Sequence, residues 1–200
     1  MNDENAWVFQ AQQGSDEAFT QLVETYQKPV YNLCYRMLGE PEMAEDAAQE
    51  TFLRAYQSLH RYDASRPFGT WLLSIAAHYC IDRLRKKKFK VFSMDAEDDD
   101  GMTFELVDPA SPDPEAESIK QADRNRLHRH LKNLDETDRA AVVMRYWHDC
   151  SEVEIAETLN LTVSAVKSRL HRSRRALAEM WQEETAHARS ERMSHESLAF

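Results

Sequence analysis

Glycine is scarce in this chain, and no long apolar run occurs in it. Four of the 200 residues are glycine, and Gly14, Gly39 and Gly69 lie near predicted helix ends. The alternation of apolar and polar residues that marks β-strands does not persist anywhere. No stretch is apolar over the roughly 20 residues that a membrane-spanning helix needs, and we find no charged and apolar leader at the N terminus. The sequence therefore predicts an all-α, cytoplasmic protein without membrane insertion.

Cysteine is also rare, which argues against a disulfide framework and against a metal cluster. Cys34, Cys80 and Cys150 are odd in number and far apart, and the only pair with metal-like spacing is His148 and Cys150. The other histidines offer no spaced ligand set with a paired carboxylate, and no glycine-rich loop could hold phosphates. We interpret Cys34 and Cys80 as small buried apolar residues. We expect no metal site, no cofactor and no catalytic residue.

Negative charge is abundant in the whole chain but is concentrated in one segment. The formal net charge is −10, and the segment 95–117 alone contains ten acidic residues and no Lys or Arg, so the rest of the chain is neutral overall. Three prolines and few apolar residues accompany these acids, so the segment cannot bury enough surface to offset its ordering entropy. We predict a flexible acidic linker at 93–118 between two small helical domains, 1–92 and 119–184, and a mobile tail at 185–200.

The most informative stretch is 151–178, which predicts two short helices around a tight turn. Ser151 and Glu154 have the spacing of a capping box at the start of the first helix. Asn160 tolerates the left-handed conformation that the turn requires, and Thr162 can cap the second helix. This pattern is typical of a helix-turn-helix, whose second helix enters the major groove of DNA.

The second helix of this pair has a run of cations. Between Lys167 and Arg175 there are five Lys or Arg and no Asp or Glu, whereas an ordinary solvated helix mixes both signs of charge. We therefore interpret it as a recognition helix rather than as a solvated amphipathic helix. The side chains predicted to reach base edges or phosphates are Ser164, Lys167, Ser168, His171, Arg172 and Arg175.

The N-terminal domain contains helices with clear apolar stripes and one unusual acidic face. Pro29 lies inside the first long helix and predicts a kink or a break there. Pro41 begins the next helix, whose predicted buried stripe consists of Ala44, Ala48, Phe52, Ala55, Tyr56 and Leu59. Its outer face is an acidic band that includes Asp46, Gln49 and Glu50. A solvated face near a helix N terminus explains the first acids well but explains these three less well. A partner surface rich in Arg or Lys is an equally supported interpretation.

A loop at 60–66 and Pro67 precede the third helix, which ends in a basic segment. From Arg83 to Lys90, six of eight residues are Lys or Arg. Aromatic and basic side chains together suit single-stranded nucleic acid, because bases stack on rings and phosphates meet cations. We assign Phe68 and Trp71 to the core. The residues predicted to contact phosphates are Arg83, Arg85, Lys86, Lys87 and Lys88.

The order of these segments resembles the sigma factors of bacterial RNA polymerase, in particular the small extracytoplasmic-function (ECF) group that has only regions two and four. The segments that resemble region two are DAAQETF (46–52), PFGTWL (67–72) and IDRLR (81–85). Those that resemble region four are LDE (134–136), MRY (144–146), IAE (155–157) and VKSRLHR (166–172). The series in this order is far more specific than any one segment.

The resemblance implies a role in transcription initiation. Asp46, Gln49 and Glu50 would dock on the clamp helices of the β′ subunit of core RNA polymerase, and region four would meet the β flap and the minus-thirty-five element of promoter DNA. An anti-sigma factor is a further partner that the resemblance suggests. His78 stands where many family members have Asn, so base preference there cannot be transferred. The residues implied in minus-ten binding, besides the basic segment, are Arg61, Tyr62, Arg66 and His78.

A stand-alone transcriptional regulator is the main alternative. Its N-terminal helices would form a dimerisation or ligand-sensing domain, and it would usually dimerise on a palindromic site. Such a regulator needs neither a strand-melting surface nor charge complementarity to polymerase. The acidic band and the second basic patch therefore favour the sigma factor.

Overall fold

The computed structural model describes residues 3–93, 123 and 125–197, and the regular elements of these residues are all helical. This confirms the all-α prediction, whereas the predicted linker at 93–118 lies outside the described residues apart from Ser93. In the part of the chain that the structure describes, no helix is long and apolar enough to cross a bilayer. The helices are α1 (Asp3–Gln12), α2 (Asp16–Leu38), α3 (Pro41–Ser58), a 3₁₀ turn (Leu59–Arg61), α4 (Phe68–Ser93), α5 (125–132), α6 (Glu136–Trp147), α7 (Glu152–Leu159) and α8 (Val163–Ser197).

Helix α2 is the centre of the N-terminal bundle and contacts α1, α3 and α4. Ser15 caps its N terminus by accepting a hydrogen bond from the Ala18 amide at 3.2 Å, and Gly39 ends it in the left-handed conformation with φ 87°. The helix continues through Pro29, so of the two predicted alternatives the break is wrong and the kink stays a prediction. An interior proline costs about 3 kcal/mol. Burial of the large apolar side chains on both sides, at about 1.5–3 kcal/mol each, outweighs that cost.

Helix α3 packs on α2 and α4 through a face of small residues. Ala44, Ala47, Thr51 and Ala55 are fully buried, so the helix lies close to its neighbours. The predicted stripe also included Tyr56, but this side chain is about half exposed and its hydroxyl donates to Asp16 at 2.8 Å. The buried face is thus turned slightly from the predicted one, and the acidic band lies on the solvent side.

Helices α5 to α8 form the C-terminal domain, in which α6 is the most buried element. The five consecutive residues 140–144 are buried, because α6 lies between α7 and α8 on one side and the N-terminal bundle on the other. Helix α8 continues to Ser197, so no helix end separates the predicted mobile tail at 185–200 from the domain. The segment 163–197 contains no Gly or Pro and is rich in Ala, Arg and Glu, which favour helix.

The two domains are packed against each other, which the sequence did not predict. Helices α2 and α4 contact α6, and α4 also contacts α7. Arg139, which is 5% exposed, donates to the carbonyl oxygen of Met37 at the end of α2 and to that of Lys132 at the end of α5, the latter at 2.7 Å. One buried guanidinium thus meets the negative ends of two helices that belong to different domains.

Candidate nucleic-acid and polymerase interfaces

Helices α7 and α8 and the turn between them have the predicted local geometry. The Ser151 hydroxyl accepts from the Glu154 amide at 3.2 Å, and the Glu154 carboxylate accepts from the Ser151 amide at 2.7 Å. Asn160 is left-handed with φ 53°, and Thr162 accepts from the Ala165 amide at 3.1 Å. The capping box, the left-handed turn residue and the second cap are therefore confirmed.

The outer face of α8 is open to solvent. Its inner residues Val166, Leu170 and Ser173 are buried against the domain. Arg169 is the cation that points inward, where it forms an ion pair with Asp138 at 2.5 Å. All six residues predicted to face the groove are exposed: Ser164, Lys167, Ser168, His171, Arg172 and Arg175.

Few acidic side chains contact the outer face of α8. Lys167 lies 3.7 Å from the Glu152 carboxylate, and Arg175 forms an exposed pair with Glu179 at 2.7 Å. Exposed pairs of this kind contribute at most about 1 kcal/mol and exchange readily for other anions. Among the described residues, Arg172 has no ion pair. The outer face of α8 is therefore available to phosphates and base edges.

The C-terminal half of α8 is fixed to α5. The guanidinium of Arg126 lies over the Trp181 ring, 3.9 Å from its centroid, and donates to the Trp181 carbonyl oxygen at 2.8 Å. The Glu184 carboxylate accepts from Arg126 and from Arg129 at 2.8 and 2.7 Å. Partial burial raises the pKa of Glu184, but these cations outweigh it and hold the pKa below its ordinary value. We call this set the α5–α8 brace.

The predicted minus-ten residues form an exposed surface along α4 and the preceding loop. His78 is exposed, with its Nδ1 2.8 Å from the Ser74 carbonyl oxygen. Arg83 is half-buried, and its guanidinium lies 5.8 Å from the Tyr79 ring centroid. The other exposed members of the set are Arg61, Arg66, Arg85, Lys86, Lys87 and Lys88.

Tyr62 differs from the other members of that set. It is only 8% exposed, and its ring lies 4.9 Å from that of Trp71 and 5.5 Å from that of Phe68, between centroids. Its hydroxyl donates to the Arg66 carbonyl oxygen. The ring is therefore part of this aromatic cluster, and Tyr62 holds the loop that presents Arg61 and Arg66. Its contact with DNA stays a prediction.

The acidic band on α3 includes an apolar residue that sequence reasoning missed. Asp46 and Gln49 are exposed, whereas Glu50 is half-buried and bonded to Arg54 at 2.7 Å. Leu53 is 52% exposed and lies one helical turn beyond Gln49 on the same face. Its spacing of seven residues from Asp46 was the signal that could have identified it.

Several cations of the minus-ten surface face the C-terminal domain. Lys88 forms an ion pair with Glu136 at 2.5 Å, and Arg66 lies 3.5 Å from the Glu157 carboxylate. Arg85 donates to the Thr137 hydroxyl at 3.4 Å. These contacts join the end of α4 and the loop before it to α6 and α7.

The three cysteines are buried and unpaired. Cys34 and Cys80 lie in the N-terminal core, which confirms their interpretation as apolar residues. Their mutual hydrogen bond and burial raise the pKa of Cys80, and burial raises the pKa of Cys150 to about 11. In the described part of the chain, no three His, Cys, Asp or Glu side chains are grouped to hold a metal ion.

Two family models match this architecture. Residues 22–90 match sigma-70 region 2, and residues 124–177 match sigma-70 region 4. The chain is 38% identical over 175 residues to the ECF RNA polymerase sigma factor SigW of Bacillus subtilis, which covers 85% of this chain and 92% of that protein. This chain is an ECF sigma factor. It directs transcription initiation as an alternative sigma factor, and the stand-alone regulator is not favoured.

Further relatives share this length and fold. The sigma factor is 30% identical over 174 residues to the RNA polymerase sigma-H factor of Pseudomonas aeruginosa, covering 85% of this chain and 89% of that one. The solved structure of CnrH in complex with the cytosolic domain of CnrY matches with a TM-score of 0.66 at 24% identity, covering 91% of this chain and 99% of that one. RpoE in complex with the anti-sigma factor NepR from Bartonella quintana matches with a TM-score of 0.67 at 18% identity, covering 82% and 96%. These two structures show the shared fold.

Proposed function

We propose that this sigma factor binds core RNA polymerase through the outer face of α3 and recognises promoter DNA with two separate surfaces. Helix α8 enters the major groove of the minus-thirty-five element, and the α4 surface captures the melted minus-ten strand. The sigma factor contributes no catalytic residue of its own. It provides polymerase with two DNA-binding modules, whose linkage raises the effective concentration of the second once the first is bound.

The observation that supports this proposal most directly is the outer face of α8. Six polar or basic side chains point to solvent there, while Val166 and Leu170 on the opposite side anchor the helix in the domain. A major groove about 12 Å wide admits an α-helix, and its base edges offer acceptors that Arg and Lys recognise. The open face therefore has both the shape and the chemistry for duplex DNA.

The face of α3 has the properties of a docking surface. Asp46 and Gln49 present an acidic, polar patch, and the exposed Leu53 beside them offers an apolar contact. Charge complementarity speeds association and fixes register, whereas a desolvated apolar anchor contributes much of the affinity. A β′ surface with Arg or Lys around an apolar recess fits this combination.

The α4 surface suits single-stranded DNA. Exposed cations along α4 can follow a phosphate backbone, and the loop fixed by Tyr62 presents two further arginines beside it. Unstacking a base costs on the order of a few kcal/mol, which stacking and pocket contacts offset once the strand is bound. Melting is thus stabilised by capture of the strand.

The partners follow from this mechanism. Core polymerase and promoter DNA are both present in the cytoplasm, where we place the sigma factor. An anti-sigma factor is a further proposed partner, since the solved complex of the related fold of RpoE contains one.

Charge reversal on α3 tests the docking face. Asp46→Lys with Glu50→Lys should abolish capture of the sigma factor by immobilised core polymerase, because two attractive contacts become repulsive. Glu17→Lys with Glu24→Lys, on the exposed side of α2, changes the net charge equally and should leave capture unchanged. Capture of the α3 variant at the wild-type level would refute the docking face. Tight dimeric binding to duplex DNA without polymerase would instead support a regulator.

A further inference from the structure

Four polar side-chain pairs between the two domains have the same direction. Their donors lie on the minus-ten surface or beside it, and their acceptors lie on α6 and α7. Besides the ion pairs of Lys88 and Arg66, Thr70 donates to the Glu154 carboxylate at 2.7 Å. A surface proposed to bind phosphates is therefore in contact with carboxylates of the same chain.

This contact is more than a set of exposed ion pairs. Glu136 is only 5% exposed although its partner Lys88 is largely solvated. Beside it, the buried Arg139 bonds the backbone at the end of α2, and Arg36 lies over the Trp147 ring, 5.0 Å from its centroid. Buried groups hold region four in place, so its carboxylates stay next to the α4 cations.

The packed arrangement cannot bind both promoter elements. Elements named for positions ten and thirty-five lie about 25 base pairs apart, which is about 85 Å of duplex at 3.4 Å per base pair. A compact body of the size of the described residues has a radius of gyration of about 15 Å. The two DNA-binding surfaces must therefore move apart before both elements are bound.

We propose that region four acts as an intramolecular competitor of the minus-ten DNA, with Glu136 and Glu157 occupying cations that the melted strand needs. In the free sigma factor the α8 face stays open while the α4 surface is partly blocked. Separation of α6 and α7 from α4 and the loop before it frees Lys88 and Arg66 to bind DNA. The inference rests on the proposed role of the α4 surface in minus-ten binding.

Neutralising the two carboxylates tests the competition. The full-length double variant Glu136→Gln, Glu157→Gln should bind a labelled oligo-dT several-fold more tightly than wild type. The slope of log K against the logarithm of the salt concentration should also be steeper by about 1.4, because two more cations become free to contact phosphates and each single-strand contact contributes about 0.7. Glu17→Gln with Glu24→Gln removes the same charge elsewhere and should change neither quantity. Unchanged affinity and slope in the double variant would overturn the proposal.

Two further variants separate the possible failures. Glu157 is exposed, so Glu157→Gln alone tests the idea, with about half the slope change, if the double variant does not fold. Adding Lys86→Ala and Lys87→Ala to the double variant should weaken oligo-dT binding. If the lysine changes weaken oligo-dT binding but the carboxylate changes do not strengthen it, only the competition is rejected. If the lysine changes do not weaken oligo-dT binding, the role of α4 in binding DNA is rejected.

A reversible cross-link gives an independent measurement. Thr70→Cys and Glu154→Cys can be joined by a cleavable bismaleimide in a sigma factor that keeps Glu136 and Glu157, since the native cysteines are buried. Cross-linking should weaken oligo-dT binding several-fold, because it holds both carboxylates next to the basic surface, and cleavage of the linker should restore the affinity. Duplex binding through α8 should be the same in both states. An oligo-dT affinity that is the same with and without the cross-link would contradict the proposal.

Discussion

Regions two and four both have basic surfaces that we propose bind DNA, but they differ in their contacts with the other region. On the outer face of α8, Lys167 and Arg175 pair with carboxylates of region four itself, whereas Lys88 and Arg66 of region two pair with carboxylates of region four. The cationic segments are equally visible in the sequence. Their availability to DNA is decided by which face of each helix packs against the other domain.

Helix electrostatics explains why the two domains meet where they do. Cations are favourable at the C-terminal end of a helix and anions at its N-terminal end. The basic end of α4 satisfies the first preference, and Asp135 and Glu136 at the start of α6 satisfy the second. Asp135 caps α6 by accepting from the Thr137 amide at 3.0 Å. Charges that stabilise each helix alone are thus complementary when the helices pack together.

Arg139→Met should have the largest effect on the contact between the regions, because Arg139 of region four donates to the Met37 carbonyl oxygen of region two. The Met37 and Lys132 carbonyl oxygens would lose a donor, at about 1–3 kcal/mol for each buried acceptor left unsatisfied. We expect the free energy of unfolding to fall by about 3 kcal/mol and urea unfolding to separate into two transitions. Arg174→Met, on the exposed side of α8, should leave a single transition. A loss below about 1 kcal/mol would contradict the role of Arg139.

Acid should weaken the same boundary. Burial and nearby cations, including Arg36 for both groups, lower the pKa of His128 and of His148 to about 4. An unfolded histidine titrates near 6.5, so between pH 6.5 and 4 the unfolded chain binds protons that the folded chain does not. This stability is complete above pH 6.5 and declines as the pH falls toward 4. We expect a loss on the order of 2 kcal/mol over that range, since each pKa unit corresponds to about 1.4 kcal/mol and both groups are partly solvated.

Urea unfolding at several pH values measures this effect. The variant His128→Gln, His148→Gln should have a flatter dependence of stability on pH than wild type between 6.5 and 4. His60→Gln, in the exposed loop of region two, should leave the dependence unchanged. Equal slopes in wild type and the double variant would show that other groups cause the acid sensitivity.

Arg172→Ala tests the basic surface of region four. If Arg172 makes a bidentate base contact, binding to the minus-thirty-five element should weaken by about 1–3 kcal/mol, with relaxed preference at one base pair. Because α8 is open in the free chain, the effect should appear without core polymerase. Affinity measurements on a set of single-base variants distinguish the outcomes, since a uniform loss across sequences marks a phosphate contact instead.

The smallest expected effect concerns the turn before α8. Asn160 has a left-handed backbone, which is strained for residues with a Cβ, and a short polar side chain offsets part of this strain by local hydrogen bonds. Alanine lacks such a side chain, so Asn160→Ala should lower the free energy of unfolding by about 1 kcal/mol. Asn160→Gly should cost less or stabilise the turn. Urea unfolding compares the two variants. A larger loss for glycine than for alanine would show that the Asn160 side chain, and not its backbone, determines the turn.

The local features of the fold could be predicted from the sequence, because their causes lie within a few residues. The capping box at Ser151, the cap at Ser15 and the end at Gly39 depend on neighbouring backbone groups alone. The packing of the domains could not be predicted in this way. It depends on Arg139 meeting a carbonyl group 102 residues away, and no periodicity contains that information.

The same difference between local causes and long-range packing applies to the site residues. The exposure of the α8 face followed from helical period, since Val166 and Leu170 fix which side is buried. The burial of Tyr62 was not predicted, because an aromatic residue beside arginines fits both a base contact and a core position. Its burial depends on Phe68 and Trp71 from the following helix.

Trp181 and Glu184, the α8 residues of the α5–α8 brace, lie beyond the residues that match the region 4 family model, which end at 177. Trp181 follows Arg172 by nine positions, or about 13.5 Å along the helix axis at 1.5 Å per residue. A tilt of α8 by about 15° around Trp181 would carry Arg172 sideways by about 3.5 Å, close to the 3.4 Å step between base pairs. In the proposed complex with DNA, the angle set by Arg126 and Glu184 would select the base pair that Arg172 reaches, and a mutation in these two residues would alter promoter choice without touching DNA.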